Sequence, residues 1–192
     1  MIWRPYTRTK RFIVLIAFIH FDIPAQWGWQ LIGSSLSRRE DAEVSAILDV
    51  LSYAEGTYSH GSEGYKLIYG GSLFDNFDDH PRTIICLPYR GKPLCATAAG
   101  RYQILERTFD RLGLPDFSPT SQDAGAIMLL AENGILELIK RRHSFGDIVE
   151  RLNKTWATLP GAPYGQPTKA FVELQDFYQE RYKHHKQKLG VK

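Results

Sequence analysis

The sequence predicts an α+β fold, with a small β-hairpin lobe, a larger helical lobe and a cleft between them. Three observations carry that expectation. A helix with its own start and stop signals occupies residues 37 to 56. Helical periodicity then vanishes from Thr57 to Ala99, where short β-type runs alternate with glycine pairs. From Gly100 onward the chain is helical again. With 12% aromatic and 43% hydrophobic residues, a chain of 192 residues can bury the core of one domain.

Ahead of that domain lies an apolar segment. Arg4, Arg8, Lys10 and Arg11 form a positive flank, and Phe12 to Phe21 form a short hydrophobic run. Asp22, Pro24 and Gln26 interrupt it before Trp27, Trp29, Leu31 and Ile32 resume. The first run is too short for a committed membrane span, and spanning with all of Phe12–Ile32 would bury His20 and Asp22. Three readings stay open: a cleavable signal peptide, a weakly held signal-anchor, or an ordinary hydrophobic core helix. In the first two, the positive flank keeps the N-terminus cytoplasmic and exports the remainder to the inner membrane or periplasm. Residues 1–35 are therefore set apart as a hydrophobic N-terminal helix. Residues 36–182 follow as the main domain, and residues 183–192 as a basic tail.

Charge is segregated in the same way. The net charge is +3, yet residues 1–11 and 181–192 hold nine of the 24 bases and no acid, so 15 bases face 21 acids between them, a net −6. Basic ends of this kind suit a membrane surface or anionic envelope polymers. Aromatic residues are not interleaved with the bases as a nucleic-acid groove requires, so nucleic acid is excluded as a partner.

Ser37-Arg38-Arg39-Glu40 is a capping box that opens the first helix. Val44, Ile47, Leu48 and Leu51 share its apolar face, and Glu55 continues that stripe with Gly56 as the stop. A carboxyl group aimed at the buried side, beside the negative end of the helix dipole, has its pKa pushed upward on both counts. That is the property of a general acid working near neutral pH.

In the β region, Tyr65–Tyr69 and Thr83–Leu87 have strand character, with turns at Gly70-Gly71 and Tyr89-Arg90-Gly91-Lys92. Cys86 and Cys95 bracket the second turn. In an exported protein they are free to form a disulfide, and otherwise they are two buried thiols. Asp75, Asp78, Asp79 and His80 cluster nearby but match no calcium loop or zinc motif, and read as a solvated loop with no metal.

The helical region divides at its punctuation. Arg101–Leu112 ends at Gly113 and Pro115. Ser118-Pro119 starts a helix through Ala131, and Gly134 separates it from Ile135–Arg142. Ser144 with Asp147 opens a helix ending near Lys154. A loop rich in proline and glycine, Leu159 to Pro167, precedes a last helix from Thr168.

Several blocks of this sequence resemble the endolysin family of bacteriophage lambda. They are Ser52-Tyr53-Ala54-Glu55-Gly56-Thr57, Gly64-Tyr65, Gly70 to Phe74 with Asp79-His80-Pro81-Arg82, and Ala99-Gly100-Arg101-Tyr102-Gln103. Phe117-Ser118-Pro119 with Ser121 to Ala124, Trp156-Ala157 with Leu159 to Ala162, and Tyr164-Gly165-Gln166 complete the set. They keep order and spacing from about residue 45 to 182. The resemblance implies a lysozyme-like fold and cleavage of peptidoglycan glycan strands in host-cell lysis, by a monomer. It makes Glu55 the catalytic acid. It places Tyr102 and Gln103 on the cleft floor, where an aromatic face and a fixed amide suit sugars, and Tyr164 and Gln166 on the opposite lip. Arg101 is either a further saccharide contact or a structural residue, and Trp156 reads as core.

A hydrolase of this type pairs its acid with a second carboxylate. Another phage lysozyme family carries Asp and Thr nine and fifteen positions after its Glu. Those positions here hold Gly64 and Gly70, and nothing commits Glu63, Asp75 or Asp78 to the role. One carboxylate suffices for lytic transglycosylation, the outcome that the resemblance also implies, with no cofactor. A hydrolytic muramidase and an inactive wall-binding module are the alternatives. The cysteines and residues 1–35 fall outside the resemblance. An apolar segment interrupted by Asp22 is similar to the signal-arrest-release segments of other phage endolysins, and its lack of cysteine argues against activation by thiol exchange.

Overall fold

The computed structural model describes residues 36–192, so the N-terminal hydrophobic helix and its three readings lie outside the described residues. Helix α1 (Arg38–Ala54) begins as expected: the Glu40 amide donates to Ser37 Oγ at 3.4 Å, and the Ser37 amide donates to Glu40 Oε2 at 2.7 Å. It buries Val44, Ile47, Val50 and Leu51. It ends at Glu55, after which Gly56 turns the chain at φ +77°.

A 3₁₀ segment, Tyr58–Lys66, follows, kinked at Gly61. It corrects the expected strand at Tyr65–Tyr69. Tyr65 and Lys66 finish the 3₁₀ segment, and only single bridges, Leu67 to Leu73 and Ile68 to Ala99, pair beyond it. Gly70 and Gly71, at φ +93° and +95°, send the chain back at once, leaving no length for a ladder.

The sheet is one antiparallel hairpin of β1 (Ile85–Tyr89) and β2 (Lys92–Ala96). Its first strand starts two residues later than expected, because the turn sets the register. Arg90 and Gly91 both have positive φ, 47° and 78°, the conformation that suits a two-residue hairpin loop. Pro88 faces Pro93, a pair with no N–H to donate, so it occupies a non-hydrogen-bonded site. The ladder repeats every two residues, so Cys86 and Cys95 share the same kind of site, where side chains approach closest. They are joined as a disulfide.

Helix α2 (Glu106–Leu112) lacks the first turn expected from Arg101. Gly100 at φ +75°, Gln103 at φ +49° and the bridge between Ala99 and Ile104 fold residues 100–103 into a tight turn instead. Helix α3 (Pro119–Glu132) starts on the expected Ser118 cap with proline in its first turn. Helix α4 (Ile135–Lys140) follows Gly134 and ends before Arg142, whose φ of +58° is not helical. Helix α5 (Phe145–Leu152) opens on a complete Ser144–Asp147 capping box. Helix α6 (Phe171–Lys188) starts three residues after Thr168 and continues through most of the stretch expected as a tail. It lies along α1, and one core runs from Ile47 and Leu51 through Phe117, Leu130 and Ile139 to Leu174.

Candidate functional site

Glu55 sits where α1 ends and the β region begins. It lines a groove of about 1200 Å³, together with Leu67–Gly71, Leu94–Ala98, Thr155–Thr158, Tyr164 and Gln166. Its side chain reaches the groove while protein surrounds most of it. Loss of hydration raises its pKa from 4.5 to about 7, and a hydrogen bond from Thr158 opposes the rise. No neighbouring charge contributes among the described residues. The Thr158 hydroxyl donates to Glu55 Oε1 at 2.5 Å. Thr158 is a site residue that the sequence candidates omit; its only signal is its place between the Trp156-Ala157 and Leu159–Ala162 matches.

The remaining candidates divide. Gln103, Tyr164 and Gln166 line the groove. Gln103 Nε2 donates to Gly100 O at 3.0 Å and Leu67 O at 3.3 Å, so its carbonyl is the half of the amide that no described residue engages. Tyr164 anchors its hydroxyl on the Lys154 carbonyl and leaves its ring 51% exposed.

Two of the candidates have their side chains engaged by distant carboxylates. Tyr102 borders the groove, but it is 2% exposed and its phenol donates to Asp123 Oδ1 at 2.6 Å, beside Tyr65 at 2.9 Å. Its ring is committed to the core. Arg101 is not among the residues lining the groove. Its guanidinium binds Asp49 at 3.2 Å and lies over the rings of Tyr58 and Tyr65. Trp156 is core as read, 4% exposed, with Nε1 donating to the Tyr102 carbonyl at 3.1 Å. Arg101, Tyr102 and Gln103 hang from the turn at residues 100–103, which Gln122 staples. Its Oε1 accepts from the Arg101 amide, and its Nε2 donates to the Tyr65 and Phe117 carbonyls. A Cβ on Gly100 would lie 2.1 Å from Gln122 Oε1, so the turn requires glycine there.

The other carboxylates of the groove are held by arginine. Glu106 and Asp110 bind Arg82 at 3.0 and 2.7 Å, and Glu132 binds Arg111 at 2.7 Å. Glu63 is exposed on the 3₁₀ segment, and Asp75 and Asp78 line a separate shallow hollow with Asp79 and His80. His80 is a core histidine. Its Nε2 lies 2.9 Å from the Ile104 carbonyl, and its Nδ1 accepts the Arg82 amide at 3.1 Å. Among the described residues no three His, Cys, Asp or Glu side chains converge as a metal site would need.

The geometry is that of one carboxyl group without an arginine partner among the described residues, its pKa raised by burial, in a groove whose other carboxylates are arginine-paired. Comparison with known proteins gives it a context. The family model described as Endolysin matches residues 45–184. The endolysin of Escherichia phage lambda is 45% identical over 132 residues, covering 63% of this chain and 79% of its own. The endolysin of Escherichia phage P2 is 39% identical over 147 residues, covering 68% and 87%. Among solved structures, bacteriophage lambda lysozyme complexed with a chitohexasaccharide superposes with a TM-score of 0.63 at 37% identity, over 77% of this chain and 96% of its own. A second structure of lysozyme from bacteriophage lambda gives 0.59 at 36%, over 79% and 96%.

Proposed function

The chain belongs to the Endolysin family, and from that premise we propose that it degrades peptidoglycan by lytic transglycosylation with Glu55 as its acid. The groove takes the glycan strand, as befits a relative whose solved complex holds a chitohexasaccharide. One observation carries the reading: burial raises the Glu55 pKa to about 7, so that a substantial fraction holds its proton near neutral pH, while each other carboxylate of the groove is paired with an arginine.

Protonated Glu55 gives its proton to the β-1,4 oxygen between N-acetylmuramic acid and N-acetylglucosamine. The C–O bond to the muramic anomeric carbon breaks, and the substrate's N-acetyl group steadies the oxocarbenium-like centre. The Glu55 carboxylate then takes the proton of the same sugar's C6 hydroxyl, whose oxygen closes a 1,6-anhydro ring. Glu55 is restored, and neither water nor a cofactor enters. A hydrolase needs a free second carboxylate to activate water or attack carbon, and each of the groove's other carboxylates is already hydrogen-bonded to an arginine.

Mass spectrometry of digested murein tests this: anhydro-ended muropeptides are expected, and reducing ends would favour the hydrolytic reading that the name lysozyme on both solved relatives suggests. A Glu55→Gln variant that cleared sensitised cells as well as the parent would leave only a wall-binding module. Residues 1–35 are proposed as the export and membrane-tethering element, delivering the domain to the inner membrane and periplasm. The Cys86–Cys95 disulfide supports an oxidising destination. Fusing residues 1–35 to alkaline phosphatase should give exported activity; none would refute export.

A further inference from the structure

We propose that Thr158 is the positioning residue of the acid: its hydroxyl occupies Oε1 of Glu55 and leaves Oε2 as the oxygen that carries the proton into the groove. The inference rests on the reading of Glu55 as the acid and goes beyond it, because it decides which of two equivalent oxygens reacts.

The hydroxyl lies 2.5 Å from Glu55 Oε1, and it makes no other hydrogen bond among the described residues. A hydroxyl can donate or accept. Were Oε1 protonated, Thr158 would have to accept, and its own proton would turn away to a position without a protein partner. Donation to an unprotonated Oε1 leaves neither group unsatisfied. The proton therefore resides on Oε2. The same bond steadies the carboxylate that remains after proton transfer, ready to receive the C6 hydroxyl proton.

Thr158 is held from both directions. Its carbonyl accepts the Lys169 amide at 3.3 Å, and Lys169 Nζ donates to Glu173 at 2.9 Å. Glu173 in turn accepts Tyr53 Oη at 2.6 Å, and Tyr53 stands two residues before Glu55 on α1. A closed circuit thus runs from α1 through α6 and the loop back to α1. Upstream, the buried Trp156 ties that loop to the Tyr102 carbonyl at 3.1 Å. A loop fastened this way places a hydroxyl with little freedom to wander. The other titratable and charged groups lining the groove are His60 on the 3₁₀ segment, Tyr69 before the glycine turn, Tyr102, Glu106, Arg107, Asp110 and Arg111 on or before α2, Glu132 at the end of α3, and Tyr164. None of them contributes to the proton affinity of Glu55.

The test compares Thr158→Val, which keeps the shape and removes the hydroxyl, with Thr158→Ser, which keeps the hydroxyl. Carbon-13 NMR of the glutamate carboxyls in the full chain, with Glu55 assigned through Glu55→Gln, reads the titration midpoint directly. The valine variant should titrate about half to one pH unit above the parent, since it loses a hydrogen bond to the ionised form. Its kcat on soluble glycan strands should fall about tenfold with KM unchanged. The serine variant should match the parent on both counts. A valine variant with parental midpoint or parental kcat overturns the proposal, as does a serine variant as impaired as the valine one. If valine prevents folding, Thr158→Ala takes its place in the same comparison. Full activity in Glu55→Gln would instead remove the acid assignment, a separate and distinguishable failure.

Discussion

At Glu55 chemistry and stability pull in opposite directions. Its carboxyl titrates near 7 in the folded protein and near 4.5 when exposed, so the native state holds a proton that the unfolded chain releases between those values. Stability is thus unpenalised below about pH 4.5, falls as pH rises through the window to about 7, and stays low above it. Glu55→Gln removes the ionisable proton without changing shape. The variant should melt several degrees above the parent at pH 8 and within a degree or so of it at pH 4, since about 2–3 kcal/mol of desolvation is at stake. Scanning calorimetry at the two pH values checks this; equal differences at both would show that the charge is not buried. Activity should decline as pH rises past about 7, where the acid loses its proton.

Among the elements, the hairpin is stapled and exposed at once. Cys86–Cys95 closes a short loop, worth roughly 2–3 kcal/mol of local stability. Among the described residues, the side-chain hydrogen bond that fastens the tip is that of the Tyr89 hydroxyl to the Gly165 carbonyl. Reduction should therefore loosen the hairpin without unfolding the domain. Tryptic cutting after Arg90, at the tip, should accelerate at least severalfold in dithiothreitol while the helical circular dichroism stays constant. Unchanged cutting would mean that the ladder and tip contact hold the hairpin unaided. Since Leu94, Cys95 and Ala96 of β2 line the groove, the same treatment should weaken binding of long glycan strands more than of short ones.

For the molecule as a whole, α6 must dock on α1 before the site is complete. Asp49 on α1 accepts from Arg101 at 3.2 Å, Arg181 at 2.9 Å and His185 at 2.8 Å, and its side chain is only 13% exposed. Removing one member of such a half-buried group strands the charges around it. Asp49→Ala should cost about 3 kcal/mol and lower the melting temperature by roughly 10 °C. Because Lys169 and Glu173 brace Thr158, activity should fall at temperatures where the variant is still folded. Calorimetry paired with turnover assays checks both; a shift of a degree or two would mean that apolar packing alone docks the helix.

What the amino-acid order determined by itself is local. Ser37 with Glu40, Ser118 with Pro119, Ser144 with Asp147, and the glycines at 56, 113 and 134 mark the helix boundaries, because caps and left-handed turns act within a few residues. Glu55 was legible for the same reason: its place follows from the period of one helix. The roles of Arg101 and Tyr102 were not. Both stand in the block that lines the cleft floor, but Asp49 and Asp123, distant in the chain, draw their side chains inward. The strand expected at Tyr65–Tyr69 failed likewise, since a strand exists only where a partner lies alongside. Thr158 became part of the site only when a loop 103 residues from Glu55 was packed against the end of α1. Propensity and capping are properties of neighbours in sequence, whereas orientation, desolvation and hydrogen-bond partnership belong to neighbours in space, and only the tertiary fold creates those.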